Sequence, residues 1–265
     1  MQRLGLLGFG AIGKRVAEAS AAGELDGIEL VAALVRTPRT TGNERPDITH
    51  DAAWFFRYRL DLVVEGAGHQ AVRDHAVRAL DNGADLYVTS IGAFTDTALL
   101  ERVVAAARAN GCRVHLPAAG IGGLDMLASL ARGGLDEATI TVRKDPPSWK
   151  GTVAEGLVDL DGLKQPHTVF DGSVREGARL YPQNVNISAA TALAGIGLDR
   201  TRIVIVADPT ITTHVCEIVA TGPLGSMRFV EDLVPSPENR KTSTLVGHAI
   251  VKTLRNRLAT LVIGG

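Results

Sequence analysis

Apolar positions fall in blocks along the first half of the chain, and the spacing within each block changes from run to run. Residues 3–7 (RLGLL) form a short apolar run that ends at a glycine turn. Residues 11–22 repeat apolar positions near period 3.6, which predicts a helix. Residues 28–35 (IELVAALV) predict a second strand. Residues 60–65, 86–89 and 113–116 predict three more. Helical stretches at 70–82 and 96–110 lie between them and stop at Gly83 and Gly111. Apolar strands alternating with helices predict an α/β fold. Its first domain, residues 1–120, is a doubly wound Rossmann sheet with parallel strands.

After Gly120 the pattern changes. Residues 139–143, 168–170, 202–207, 214–220 and 227–233 read as strands separated by turn residues, some with clear alternation. They predict an α+β second domain, residues 121–241, built on a mixed or antiparallel sheet, with substrate-handling and oligomerisation roles. Residues 242–257 read as a helix, and the C-terminal stretch 242–265 is expected to pack back on the first domain. Residues 144–150 (KDPPSWK) read as a loop because of their two prolines.

Composition narrows the class. The 265 residues suffice for two modest domains with real cores. With 28 basic and 29 acidic residues the net charge is −1, which gives no electrostatic reason to expect nucleic acid or an anionic membrane as partner. No run reaches the roughly 20 apolar residues of a membrane span. The apolar N-terminus is interrupted by glycines and Lys14-Arg15, unlike a signal peptide. A cytoplasmic protein is expected. Cys112 and Cys216 are far apart and read as reduced thiols rather than a disulfide or zinc site. No histidine or carboxylate pair has ligand spacing on a helix face, so no metal is expected.

The candidate chemistry begins at Gly8-Phe9-Gly10-Ala11-Ile12-Gly13, which reads G-x-G-x-x-G between a predicted strand and helix. Gly8 permits the tight turn, Gly10 lets a pyrophosphate approach the backbone, and Gly13 lets helix and strand pack closely. The helix N-terminus, from Ala11 and Ile12, offers N–H groups and a partial positive charge to phosphates. A nicotinamide dinucleotide is therefore expected. NAD sites place an acidic residue at the end of the second strand for the ribose hydroxyls. Here that position runs Val35-Arg36-Thr37-Pro38-Arg39. Arg36, with Arg39 nearby, is placed to face a 2′-phosphate, so NADP is expected to be accepted as well as NAD.

Oxidation of a C–N or C–O bond also needs a proton acceptor. The chain offers His50, His69, His75, His115, His167, His214 and His248. His75 reads as a helical surface residue, and His50 and His167 as loop residues. His69 follows the third strand at the ligand-binding edge of the sheet, and His214 begins a strand after the turn at Asp208-Pro209. On physical grounds these two are the leading candidates, beside the reading that none of the histidines is the proton acceptor.

Residues 180–186 (LYPQNVN), 207–209 (ADP) with His214 shortly after, 235–243 (PSPENRKTS) and 117–125 (PAAGIGGLD) resemble motifs of the L-aspartate dehydrogenase family, in family order. The resemblance implies roles. His214 matches the active-site histidine, and Asn184 an asparagine that contacts the nicotinamide nucleotide. Ala118 or Ala119 matches an alanine contacting the cofactor, in a loop where Ala119-Gly120-Ile121 replaces a Gly-Ala-Ile order. Lys241, Thr242 and Ser243 fall on a motif that opens the last helix and suit a substrate carboxylate, with Asn186 nearby. The implied reaction is NAD(P)-dependent oxidation of L-aspartate to iminoaspartate, with His214 as acid/base. Iminoaspartate then hydrolyses to oxaloacetate and ammonia or feeds NAD biosynthesis. A homodimer is expected. The alternatives are a two-domain reductase of the homoserine dehydrogenase or dihydrodipicolinate reductase type, and an NAD(P)-binding sensor without turnover.

Overall fold

The computed structural model describes residues 1–38, 46–182, 185–236 and 239–264, with 239–242 described by backbone alone. Strand β1 (Gln2–Leu7) is buried on both faces from Leu4 onward, the environment of an inner parallel strand. It pairs with β2 (Ile28–Leu34) on one side and β4 (Leu62–Glu65) on the other. Beyond them lie β3 (Asp47–Thr49), β5 (Asp85–Val88) and β6 (Val114–His115). Among the described residues these six strands form one parallel sheet in the order β3-β2-β1-β4-β5-β6. Strand order reverses at β1, so the β1 and β4 carboxyl ends open a crevice of the kind that binds ligands in doubly wound sheets.

Helices α1 (Ala11–Ala21), α2 (Ala52–Phe56), α3 (His69–Asp81) and α4 (Thr97–Ala109) connect these strands. The short α2 is set by its cap. The Asp51 carboxylate accepts from the N–H groups of Ala53 (2.7 Å) and Trp54 (3.2 Å).

The chain divides into two units. The first comprises Met1–Ala119 and Val246–Gly265, the second Gly120–Leu245. In the first unit, the last helix places Val246, Ile250, Val251 and Leu254 in one core with Leu4, Leu6, Leu30 and Val64. Full burial of such side chains is worth about 1.5–3 kcal/mol each. Arg257 closes this contact, pairing with Asp85 at 2.6 Å and donating to Gln2 Oε1 at 2.9 Å.

The second unit contains α5 (Leu124–Arg132), β7 (Glu137–Lys144), β8 (His167–Ser173), α6 (Val174–Leu180), α7 (Asn186–Ala194), β9 (Arg202–Ala207), β10 (His214–Gly222) and β11 (Gly225–Leu233). Its sheet is mixed, in the order β11-β10-β7-β9-β8, with β7 and β9 parallel and the other pairs antiparallel. Alternation is clean: Ala138, Ile140, Val142 and Lys144 of β7 are buried, and the residues between them are less so. Gly177 of α6 sits against Ile203 of that same face, where a Cβ would meet Ile203 Cγ2 at 3.0 Å. Residues 144–150, expected as a loop, instead contain a 3₁₀ turn at Pro146–Trp149, because the prolines preset its φ angles and the Trp149 ring is fully buried.

The C-terminal segment also differs from expectation. A hairpin of β12 (Pro235–Ser236) and β13 (Asn239–Ser243) precedes helix α8 (Leu245–Asn256), so 242–243 are strand and the helix starts at Leu245. Ladder pairing of Pro235 with Ser243 captures residues whose local pattern reads as helical. Ser243 is buried, and its Oγ accepts the Leu245 N–H at 3.1 Å.

Candidate active site

The glycine turn joins β1 to α1 at the sheet crevice. Gly8 has φ +98°, and a Cβ there would meet Ala67 Cβ at 2.8 Å. On Gly13 a Cβ would meet the Gly8 carbonyl oxygen at 2.6 Å, whereas on Gly10 it would meet nothing within 4 Å. The two outer glycines are demanded by packing, and the middle one faces open space. Gly10 is the N-cap of α1 and carries no side-chain cap, which leaves the first-turn N–H groups of Ala11 and Ile12 for a ligand. A pyrophosphate fits this cradle. Arg36 follows β2, the strand beside β1, and is exposed.

The far wall of the crevice is the loop after β4. Glu65 is fully buried and accepts from the N–H groups of Ala67 (2.7 Å), Gly68 (2.8 Å) and Ser90 (3.0 Å) and from the Ser90 hydroxyl (2.9 Å). Four donors on one carboxylate fix the Gly66–Gly68 turn and seat His69 as the first residue of α3.

In the second unit the chemistry gathers at one edge of the sheet. Lys144 ends β7, Ala207 ends β9 opposite it, and His214 begins β10, whose next residue Val215 pairs with Arg143. Lys144 and His214 are each 6% exposed. Beyond Ala207, the Asp208 side chain is fully buried. Its Oδ1 accepts the Thr210 N–H (2.8 Å) and hydroxyl (2.6 Å), its Oδ2 accepts from Arg143 Nη1 (3.2 Å), and its own N–H donates to Lys144 O (2.9 Å). Burial pushes the Asp208 carboxyl up, but the Thr210 donors and Arg143 outweigh it and hold it below the usual range. One strand pair further in, Cys216 faces Glu231 of β11. Burial and the Glu231 charge push the Cys216 thiol up to about 12, with Lys144 pulling the other way. Burial likewise pushes Glu231 up to about 7, against a hydrogen bond from the Gly122 N–H.

Family models match both parts of this architecture: a homoserine dehydrogenase NAD-binding domain over residues 8–117, and an aspartate dehydrogenase C-terminal domain over 125–257. The chain belongs to the aspartate dehydrogenase family. An L-aspartate dehydrogenase from Polaromonas is 39% identical over 99% of this chain and 100% of its own. The crystal structure of aspartate dehydrogenase from Thermotoga maritima superposes with a TM-score of 0.80 at 26% identity, covering both chains fully. A dihydrodipicolinate reductase from Paenisporosarcina, at 17% identity and a TM-score of 0.54 over 97% of this chain and 94% of its own, shares the fold alone. The chain is accordingly an NAD(P)-dependent oxidoreductase with a Rossmann domain and a mixed-sheet domain.

Within this family member, Gly8, Gly10, Ala11, Ile12, Gly13 and Arg36 share the carboxyl edge of the parallel sheet. Ala118 is exposed, while Ala119 is buried in the core shared with Val246 and Ile250. Asn186 opens α7 and is half-buried. Asn184 and Arg39 lie outside the described residues, as do the side chains of Lys241 and Thr242. Those two belong by backbone to β13, so they do not open the last helix as the motif implied.

Of the seven histidines, His214 is the buried one. His115 stacks on Tyr87 at 4.3 Å, His75 lies against Phe56, and His248 accepts from Arg15 Nε at 3.4 Å. Glu65, Lys144 and Glu231 are not singled out by the sequence as site residues; a charge closing the apolar run 62–64 is the faint local mark of Glu65 alone.

Proposed function

We propose that this member of the aspartate dehydrogenase family oxidises L-aspartate at its Cα–N bond, with His214 as acid/base. The observation that carries the reading is His214 itself. It is a buried histidine that begins β10 at the end of the sheet where the neighbouring strand β7 ends at the buried Lys144, in a chain aligned end to end with an enzyme named L-aspartate dehydrogenase.

The nucleotide, when bound, supplies the hydride acceptor. Its pyrophosphate fits the Gly8–Gly13 turn, where the bare Gly10 and the uncapped α1 N-terminus meet it. Arg36 supplies a cation for a 2′-phosphate, so NADP is taken alongside NAD. Ala118, the exposed one of the two candidate alanines, contributes the loop contact, and Asn184 contributes the nucleotide contact that the family motif implies.

The chain's own residues manage protons and charge. Aspartate reacts only with a neutral amine, because the nitrogen lone pair drives formation of the imine. His214 takes that proton, the general acid/base task that histidine performs most often. Burial of His214 excludes bulk water from this exchange. Ser243, with Lys241, Thr242 and Asn186, is the group assigned to the substrate carboxylates. Iminoaspartate leaves to hydrolyse to oxaloacetate and ammonia.

The test is NAD(P)H formation at 340 nm with L-aspartate, with L-homoserine and L-alanine as controls. Turnover of aspartate alone is the expected result. Turnover of homoserine instead, or nucleotide binding with no turnover, would move the chain to the reductases or to a sensor role.

A further inference from the structure

Strand β11 holds two side chains on the face of the second-unit sheet that also carries His214. Glu231 lies opposite Cys216 and Phe229 opposite Ile218 in the β10–β11 register. His214 precedes Cys216 by two residues and so points to the same face. Both β11 side chains engage the turn that leads into α5. The Glu231 Oε2 accepts the Gly122 N–H at 3.2 Å. The Phe229 ring lies under the glycines: a Cβ on Gly122 would meet its Cζ at 2.5 Å, and one on Gly123 would meet its Cγ at 3.1 Å. Gly123 takes φ +71° and caps α5 without a side-chain hydrogen bond.

The cost of this arrangement is visible. Among the described residues, the buried Glu231 Oε1 has no hydrogen-bond partner. A partly buried carboxylate with one oxygen shut away and unpaired costs stability, and a hydrophobic residue at this strand position would not. Cys216 opposite it is driven further from ionisation by the same charge. The group therefore has a use other than stability, and its one hydrogen bond shows where.

We infer that Glu231 is a positioning residue whose carboxylate pins the Gly122–Gly123 turn to the sheet face carrying His214 and so sets the loop that the reaction uses. The inference rests on the proposed function, in which this loop, continuing from Ala118 and Ala119, meets the nucleotide.

Three variants test it on the full-length enzyme. Glu231→Met keeps the bulk and removes the acceptor; Glu231→Gln keeps bulk and acceptor; Glu231→Asp carries a shorter carboxylate that does not span to Gly122. Hydrogen–deuterium exchange across 120–124 and kcat/KM for aspartate are read together. In Glu231→Met, loss of one hydrogen bond speeds exchange at this segment about fivefold or more. There kcat/KM drops by a comparable factor, while Glu231→Gln keeps both near wild type. Should Glu231→Met fail to fold, Glu231→Asp is read the same way.

Unchanged exchange in the acceptor-less variant would overturn the inference. So would faster exchange with unchanged kcat/KM, or a Gln variant as impaired as Met. A wild type that binds NADPH but turns over no aspartate would sink the proposed function instead, and the exchange rates would then decide whether Glu231 holds the turn.

Discussion

The Gly8 carbonyl oxygen lies where a Cβ on Gly13 would come within 2.6 Å of it. The obstacle is backbone, so no side chain can rotate away to relieve it. Gly13→Ala must push α1 off β1 and is expected to cost about 2 kcal/mol of stability, as overpacking does. Gly10 makes the contrast. With φ −86° and open space around its Cβ position, Gly10→Ala is expected to leave stability within about 0.5 kcal/mol. The added methyl enters the space for the pyrophosphate, so NADPH affinity falls by about tenfold or more. Thermal unfolding and NADPH titration of the two variants check both. A Gly10→Ala protein with native affinity would show that the turn is structural only.

Arg36 stands exposed one residue past the buried Val35, beside the glycine turn in strand order. A cation there favours a 2′-phosphate over a bare ribose hydroxyl. Arg36→Ala is expected to lower kcat/KM for NADP about tenfold, the loss of one charge-assisted contact, and to leave NAD nearly unchanged. Initial rates with both nucleotides measure it. An equal loss for both would show that Arg36 does not read the phosphate.

The parallel half of the fold is legible because its inner strands are buried on both faces and read as apolar runs, as in 62–64 with every residue buried. The second half is less so. Helix α7 is small and buried from Ser188 to Ala192, so it shows no polar face to give a period. The β12–β13 hairpin depends on Pro235 meeting Ser243, a contact no local pattern reports. Site residues divide the same way. The glycine turn announces itself, because each glycine answers a backbone constraint. Glu65 does not, because its donor Ser90 is 25 residues away and arrives only with the sheet. Glu231 is hidden for the same reason, its partner Gly122 lying 109 residues back.

His214 is expected to carry proton transfer rather than nucleotide binding. His214→Ala should lower kcat by about 10²–10⁴, the usual contribution of a positioned acid/base, with NADPH affinity within about twofold of wild type. Steady-state rates and NADPH titration of the two proteins decide it. Near-normal kcat in His214→Ala would remove the assignment and return His69 to consideration.

Asp208 ties the second-unit site together, and its charge state sets a pH limit on stability. Its carboxylate takes two donors from Thr210 and one from Arg143, and its N–H donates to Lys144 O, which ties the turn leading to His214 to the end of β7. Because those donors hold the folded carboxyl below its ordinary value, the unfolded chain binds the proton first as pH falls. The stabilisation is therefore complete above the unfolded value of about 3.9 and is lost as pH drops through and below it. Asp208→Ala removes the acceptor shared by the Thr210 donors and the half-exposed Arg143, a change expected to cost about 1–2 kcal/mol, the range for lost hydrogen bonds. The variant should also lose this part of the acid sensitivity. Urea unfolding of both proteins at pH 7 and pH 3.5 measures it: the gap between them should be wide at pH 7 and narrower at pH 3.5. A gap that stays constant with pH would mean that Asp208 stabilises the turn through packing rather than through its charge.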